Sequence, residues 1–179
     1  MTINKINIKF FFTGADVNLP AFVPIFHQWI QEQALEGLPI DVADYKHVPN
    51  GPGIMLIGYE TDYAVDLGDG RPGFVTSRKR DWPDDDLADR LRLTVRQAIR
   101  AAHLVEEAPS LDVELDTSEW LITFADRLHA PNTAETFESF RPMVQAVVSE
   151  WLGNDVELAW ENEEGRRPLA VRVRGIGNW

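Results

Sequence analysis

Val156-Glu157-Leu158-Ala159-Trp160-Glu161 and, after a polar turn, Leu169-Ala170-Val171-Arg172-Val173-Arg174 close the chain, and their alternation decides the fold class. Successive side chains of a strand point to opposite faces. Val156, Leu158 and Trp160 therefore share one face of the first run, and Leu169, Val171 and Val173 share one face of the second. The opposite faces set Glu157 and Glu161 against Arg172 and Arg174, which suits cross-strand ion pairing. A strand pair with one apolar and one charged face keeps one side in a core and the other in water, the signature of an antiparallel sheet covered on one side. This predicts an α+β protein: a two-layer sandwich with a mainly antiparallel sheet and about three helices on one face.

Upstream of the hairpin, Phe140, Met143, Val144, Val147 and Trp151 recur at helical spacing, with a capping-box-like start at Asn132 and Glu135 and a kink or later start at Pro142. The motif Phe140-Arg141-Pro142-Met143 also occurs 118 residues earlier as Phe22-Val23-Pro24-Ile25, and Glu32 and Glu150 follow at the same offset. There too it opens an amphipathic helix, with Phe22, Phe26, Trp29 and Gln33 on one stripe. An aromatic strand precedes each copy, at residues 8–12 and 120–124, and two strand-like runs follow, ending at Gly58 and Gly175. The expectation is one domain over residues 1–179 built from two related β-α-β-β units, 6–58 and 120–175, with Phe22 over Phe140 and Pro24 over Pro142.

After the first helix, strands are expected at 40–47, 54–60, 63–67 and 73–78, and alternation marks another at 111–116. A helix between them has Asp84, Asp85 and Asp86 at its positive end and an apolar face of Leu87, Leu91, Val95, Ala98, Ala102 and Val105. Pro109 ends it.

Composition excludes several functions. There is no cysteine, hence no disulfide scaffold, thiolate nucleophile or cysteine-held metal. The net charge of −12 argues against nucleic-acid and anionic-membrane binding, which need clustered cations. No run approaches the ~20 apolar residues of a membrane helix, and no secretory leader is evident, so a cytoplasmic protein is expected. The acidic balance would steer a basic partner towards the chain.

Chemical motifs are weak. Gly68, Gly70, Gly73 and Val75 match a nucleotide-loop spacing, but a strand follows where a dinucleotide site needs a helix; a glycine-rich hairpin is expected. Tyr45, His47, Tyr59 and Glu60 flank the proline-glycine stretch 49–53 and form the candidate catalytic or small-molecule cluster, in which His47 would be a base. Arg78, Lys79, Arg80, Arg92, Arg96 and Arg100 form a candidate anion site; the last three lie within about 80° around one helix. Trp82 and Trp179 fit no core stripe and are candidate interface residues, since tryptophan is enriched in interface hot spots. No histidine spacing suggests a metal, and no cofactor is implied. The leading expectation is a non-catalytic acidic interaction protein and a homodimer, with sequestration of a basic partner as one concrete version. The alternative is a ligand-binding protein or enzyme with its site in the 44–60 region.

Overall fold

The computed structural model describes residues 3–14, 16–49, 51–82, 86–161 and 165–177. Eight strands form one antiparallel sheet, ordered β2-β3-β4-β5-β1-β6-β8-β7. In chain order they are β1 (Ile6–Phe12), β2 (Pro39–Asp44), β3 (Pro52–Gly58), β4 (Thr61–Asp66), β5 (Gly73–Arg78), β6 (Leu115–Phe124), β7 (Glu157–Glu161) and β8 (Leu169–Arg174). Three helices, α1 (Leu19–Glu32), α2 (Leu87–Glu106) and α3 (Ala134–Leu152), pack on one face. The α+β two-layer architecture read from the closing hairpin is the one observed.

The buried face follows from alternation. Ile6, Ile8, Phe10 and Phe12 of β1 point to the helices, level with Trp120, Ile122 and Phe124 of β6 and Phe74 of β5. Phe22 and Phe26 of α1 meet Phe12 and Phe74, and Phe140 and Phe137 of α3 meet Phe124 and Trp160. Aromatic contacts of this kind, edge-on for Phe26–Phe74 and Phe124–Phe140 and stacked for Phe137–Trp160, add to the area they bury. All the fully buried apolar residues join in one core cluster.

The central strands β1 and β6 pair with each other, and each is flanked on its outer side by the last strand of its own half, β5 or β8. The expected duplication of 6–58 and 120–175 is not shown. β8 returns to pair with β6, whereas β3 is separated from β1 by two strands, β4 and β5. The helix motifs also differ in phase. Pro24 falls in the second turn of α1, while Pro142 falls a turn deeper in α3. A shared helix motif constrains local helix geometry and leaves strand order open.

Three boundaries move. Leu111 and Val113 are not in a strand: Pro109–Leu111 is a 3-10 turn, Asp112 is left-handed at φ 47°, and β6 starts at Leu115. The cap of α3 is Thr133, whose hydroxyl accepts from Thr136 N at 3.2 Å, while Asn132 accepts from Trp160 Nε1 at 2.8 Å. Gln33 leaves the α1 stripe as a left-handed C-cap at φ 52°. Asp86 caps α2 through Ala88 N and Asp89 N; Asp84 and Asp85 lie outside the described residues.

Candidate functional site

The 44–60 region is an edge of the sheet. β2 pairs only with β3, with Asp44 opposite Ile54 and Pro39 opposite Gly58. Because this pairing is antiparallel, Tyr59 returns beside Leu38, donating its N–H to Leu38 O at 2.8 Å, while Tyr45 donates to Gly53 O at the other end. Tyr45 and His47 are therefore separated from Tyr59 and Glu60 by about 20 Å of strand at ~3.4 Å per residue. The expected catalytic cluster is not assembled. Tyr45 and His47 rings lie 6.3 Å apart, both residues exposed. Glu60 is spent on structure: its Oε2 accepts from Leu38 N at 2.8 Å. Asp44 is held below the ordinary carboxylate range by the backbone N–H of Lys46 and by its ammonium.

What the edge does carry is apolar surface. Of the eight large apolar side chains exposed among the described residues, five border β2: Leu38, Ile40, Tyr45, Val48 and Tyr59. Ile40 occupies the register shift between Pro39 and Asp41 and is 56% exposed, as a bulge that re-aims a side chain allows. The Val42 N–H turns away from β3 and donates to the Asp41 carboxylate at 2.8 Å. Composition alone could not single these residues out, because an edge strand and an inner strand have the same alternation.

The expected anion site is dispersed. Arg78 is buried, donating to Thr61 Oγ1 and to Asp81 O at 2.5 Å, and burial lowers its pKa. Lys79 pairs with Asp62 at 2.7 Å, and Arg80 stacks on Tyr59. Arg92 pairs with Glu150 and Asp89, Arg96 with Glu36 at 3.2 Å, and Arg100 is exposed. Arg78 ends strand β5, Lys79 and Arg80 follow it, and Arg92, Arg96 and Arg100 belong to helix α2, so these cations engage separate partners, which the linear run could not show. Trp82 is half-buried against its own chain, with the Arg78 and Arg90 guanidiniums over its ring and Nε1 donating to Asn4 O at 3.4 Å. Trp179 lies outside the described residues. The glycine-rich match at 68–75 forms the β4–β5 hairpin, where Gly68–Gly70 is a 3-10 turn. Gly73 is required there by close approach, since a Cβ would sit 2.5 Å from Phe10 O.

A second cluster was not read from the sequence. On the helix-free face, Phe11 lies at an irregularity of the β1–β6 ladder and is 3% exposed. The guanidinium of Arg71 covers its ring at 3.8 Å, with Lys9 and Arg172 also near. Glu119 gathers three guanidiniums: Arg71 at 2.6 Å, Arg174 at 3.3 Å, and Arg172, which also binds Glu161. Burial raises the Glu119 pKa, but the donors from Arg71, Arg172 and Arg174 outweigh it and hold the carboxyl below its ordinary value. Beside this network is a cavity of about 340 Å³. The sequence signal was the outward Arg172 of the closing hairpin; Phe11 and Arg71 needed the fold. A further cavity of about 440 Å³ opens where the end of β1 meets the turn before β6, and Asp16, Glu106, Asp112 and Glu114 line it without a cation.

Among the described residues no helix is long and apolar enough to cross a membrane, and no three metal-ligating side chains converge. Comparison with protein-family models, with curated proteins and with solved structures finds no match.

Proposed function

We propose that this chain is a non-catalytic interaction protein whose β2 edge receives an extended, basic segment of a protein partner by strand addition. The observation that carries this reading is the concentration of exposed apolar side chains along one edge strand, from Leu38 and Ile40 to Tyr45 and Val48. In strand addition the main chain supplies affinity and alternate side chains supply specificity. The outward Val42 N–H is already polarised, its present acceptor being only the neighbouring Asp41 carboxylate. An incoming carbonyl would take over that proton and leave Asp41 to pair with a basic side chain. Charge selects the partner: a chain of −12 attracts a basic segment at long range.

A second copy is the competing occupant, because an antiparallel pair of identical strands is self-complementary. Two chains of −12 repel, which weighs against it. The separation of His47 from Glu60 removes the geometric basis of a small-molecule site across the same region.

Hydrogen exchange with two synthetic strand peptides, alternating Val-Lys and Val-Glu, tests the reading. The Val-Lys peptide is expected to protect the amides of β2, and Val42→Pro to abolish that protection while leaving the melting temperature within a few degrees, since proline is tolerated where an edge N–H faces solvent. Protection elsewhere, or equal protection by both peptides, would refute it. Sedimentation of the chain alone, with dimer lost in Val42→Pro, would instead establish self-pairing.

A further inference from the structure

We infer that the cavity on the helix-free face is a binding site for a small carboxylic acid with an apolar body. This site is separate from the β2 edge: its walls come from β1, β6, β7 and β8 and from the loops before β5 and β8. Among the described residues its wall carries Lys9, Arg71, Arg167 and Arg172 with Glu161, and Asp66 and Glu119 pair with Lys9, Arg71 and Arg172 from beside it. What the site offers a ligand is the N–H donors these pairs leave over, set beside an apolar wall.

The donors are present and positioned. A guanidinium carries five N–H bonds in a fixed fork that matches a carboxylate. Arg71 and Arg172 both spend donors on one acceptor, Glu119, which also holds Arg174. Three guanidiniums carry more N–H groups than the oxygens of Glu119 and Glu161 accept, so Arg71 and Arg172 keep donors for an anion entering beside Phe11. Both side chains are braced: the Arg71 guanidinium sits over the Phe11 ring and on Glu119, and Arg172 is held between Glu119 and Glu161. Lys9 is fixed by Asp66 at 2.6 Å and by Gly68 O at 3.3 Å. The ligand therefore meets a preorganised site and does not have to order three flexible side chains.

The remaining lining sets the rest of the ligand. Leu121, Ala170, Pro168 and the edge of Phe11 offer an apolar wall. A volume near 340 Å³ falls at the small end of ligand sites and holds about ten water-sized groups at ~30 Å³ each. Glu161 and Glu119 sit close to the guanidiniums, so a doubly charged phosphate would meet two like charges. A singly charged carboxylate meets the same donors with half that repulsion.

Octanoate, with octanol as its uncharged counterpart, tests the assignment by titration calorimetry. One octanoate per chain is expected, with octanol at least tenfold weaker. Arg71→Gln should weaken octanoate about tenfold and leave octanol unchanged. Ala170→Trp fills the cavity from the outward side of β8 and should abolish octanoate binding with the circular dichroism spectrum intact. If Ala170→Trp does not fold, Leu121→Gln on the neighbouring strand serves the same purpose by removing apolar wall. Absence of saturable binding at millimolar octanoate would overturn the proposal. So would equal affinity for octanol, or binding that survives both Arg71→Gln and the loss of the apolar wall.

Discussion

Glu119 shows how a single side chain ties the helix-free face together. It is 14% exposed and receives Arg71, Arg172 and Arg174 from a loop and a neighbouring strand. Its folded pKa is depressed, so its contribution to stability is fully present above the ordinary glutamate value of about 4.3 and is lost as pH falls through the folded value. Denaturant midpoints of the wild type are accordingly expected to fall more steeply below about pH 4 than those of Glu119→Gln. Parallel acid limbs would show that the three arginines do not stabilise the ionised form. Other buried polar groups follow a different logic. Tyr63 is 2% exposed and its hydroxyl has no hydrogen-bond partner among the described residues, so burial pushes its pKa up.

At the scale of elements, α2 is the clearest case of a helix whose faces were legible beforehand. Leu91, Val95, Ala98, Ala102 and Val105 are buried, and Arg96 and Arg100 are exposed. Truncating Leu91 to alanine is expected to cost about 2–5 kcal/mol, because the side chain is fully enclosed. Arg96→Ala should cost no more than about 1 kcal/mol, since its pair with Glu36 is 61% and 57% exposed. Urea melts of the two variants compare them, and equal shifts would mean that the faces are misassigned. The same helix also hides what periodicity did not mark. Arg90, Thr94 and Gln97 are buried, with Arg90 donating to Ile3 O at 3.0 Å and Thr61 Oγ1 donating to Gln97 Oε1 at 3.2 Å. Polar residues at these positions look solvent-facing in the sequence. They are inside because β4 and the segment before β1 supply partners that reduce the cost of burial.

For the whole molecule, the pairing of β1 with β6 joins the two halves through the centre of one sheet and one core cluster. Trp29 reports on the first half and Trp120 on the second, and both are buried. Tryptophan fluorescence and far-ultraviolet circular dichroism should therefore give superimposable urea transitions, as expected of a single cooperative unit. Two resolved transitions would mean that the halves unfold as separate domains. Charge acts at this scale too. The net −12 favours solubility and basic partners through the summed field, while leaving local cationic sites free to exist wherever the fold gathers arginines.

The amino-acid sequence by itself determined the class of the fold and the buried face of most elements. Both rest on periodicity, which is a property of neighbouring residues: alternation in residues 156–161 and 169–174 and the 3.6-residue stripe of α2 need no distant contact to be read. Strand order, the β2 edge and the Phe11 network were decided only by tertiary structure. Whether a strand is central or at an edge depends on which neighbours pair with it, and β2 with its exposed Ile40 reads no differently from the inner strands. Tyr45 and Tyr59 are 14 residues apart in sequence, yet an antiparallel hairpin sends them to opposite ends. Phe11, Arg71 and Arg172 are far apart in sequence, yet three separate parts of the chain bring them to one pocket. Local patterning sets which way a side chain faces; only the pairing of remote segments sets what it meets.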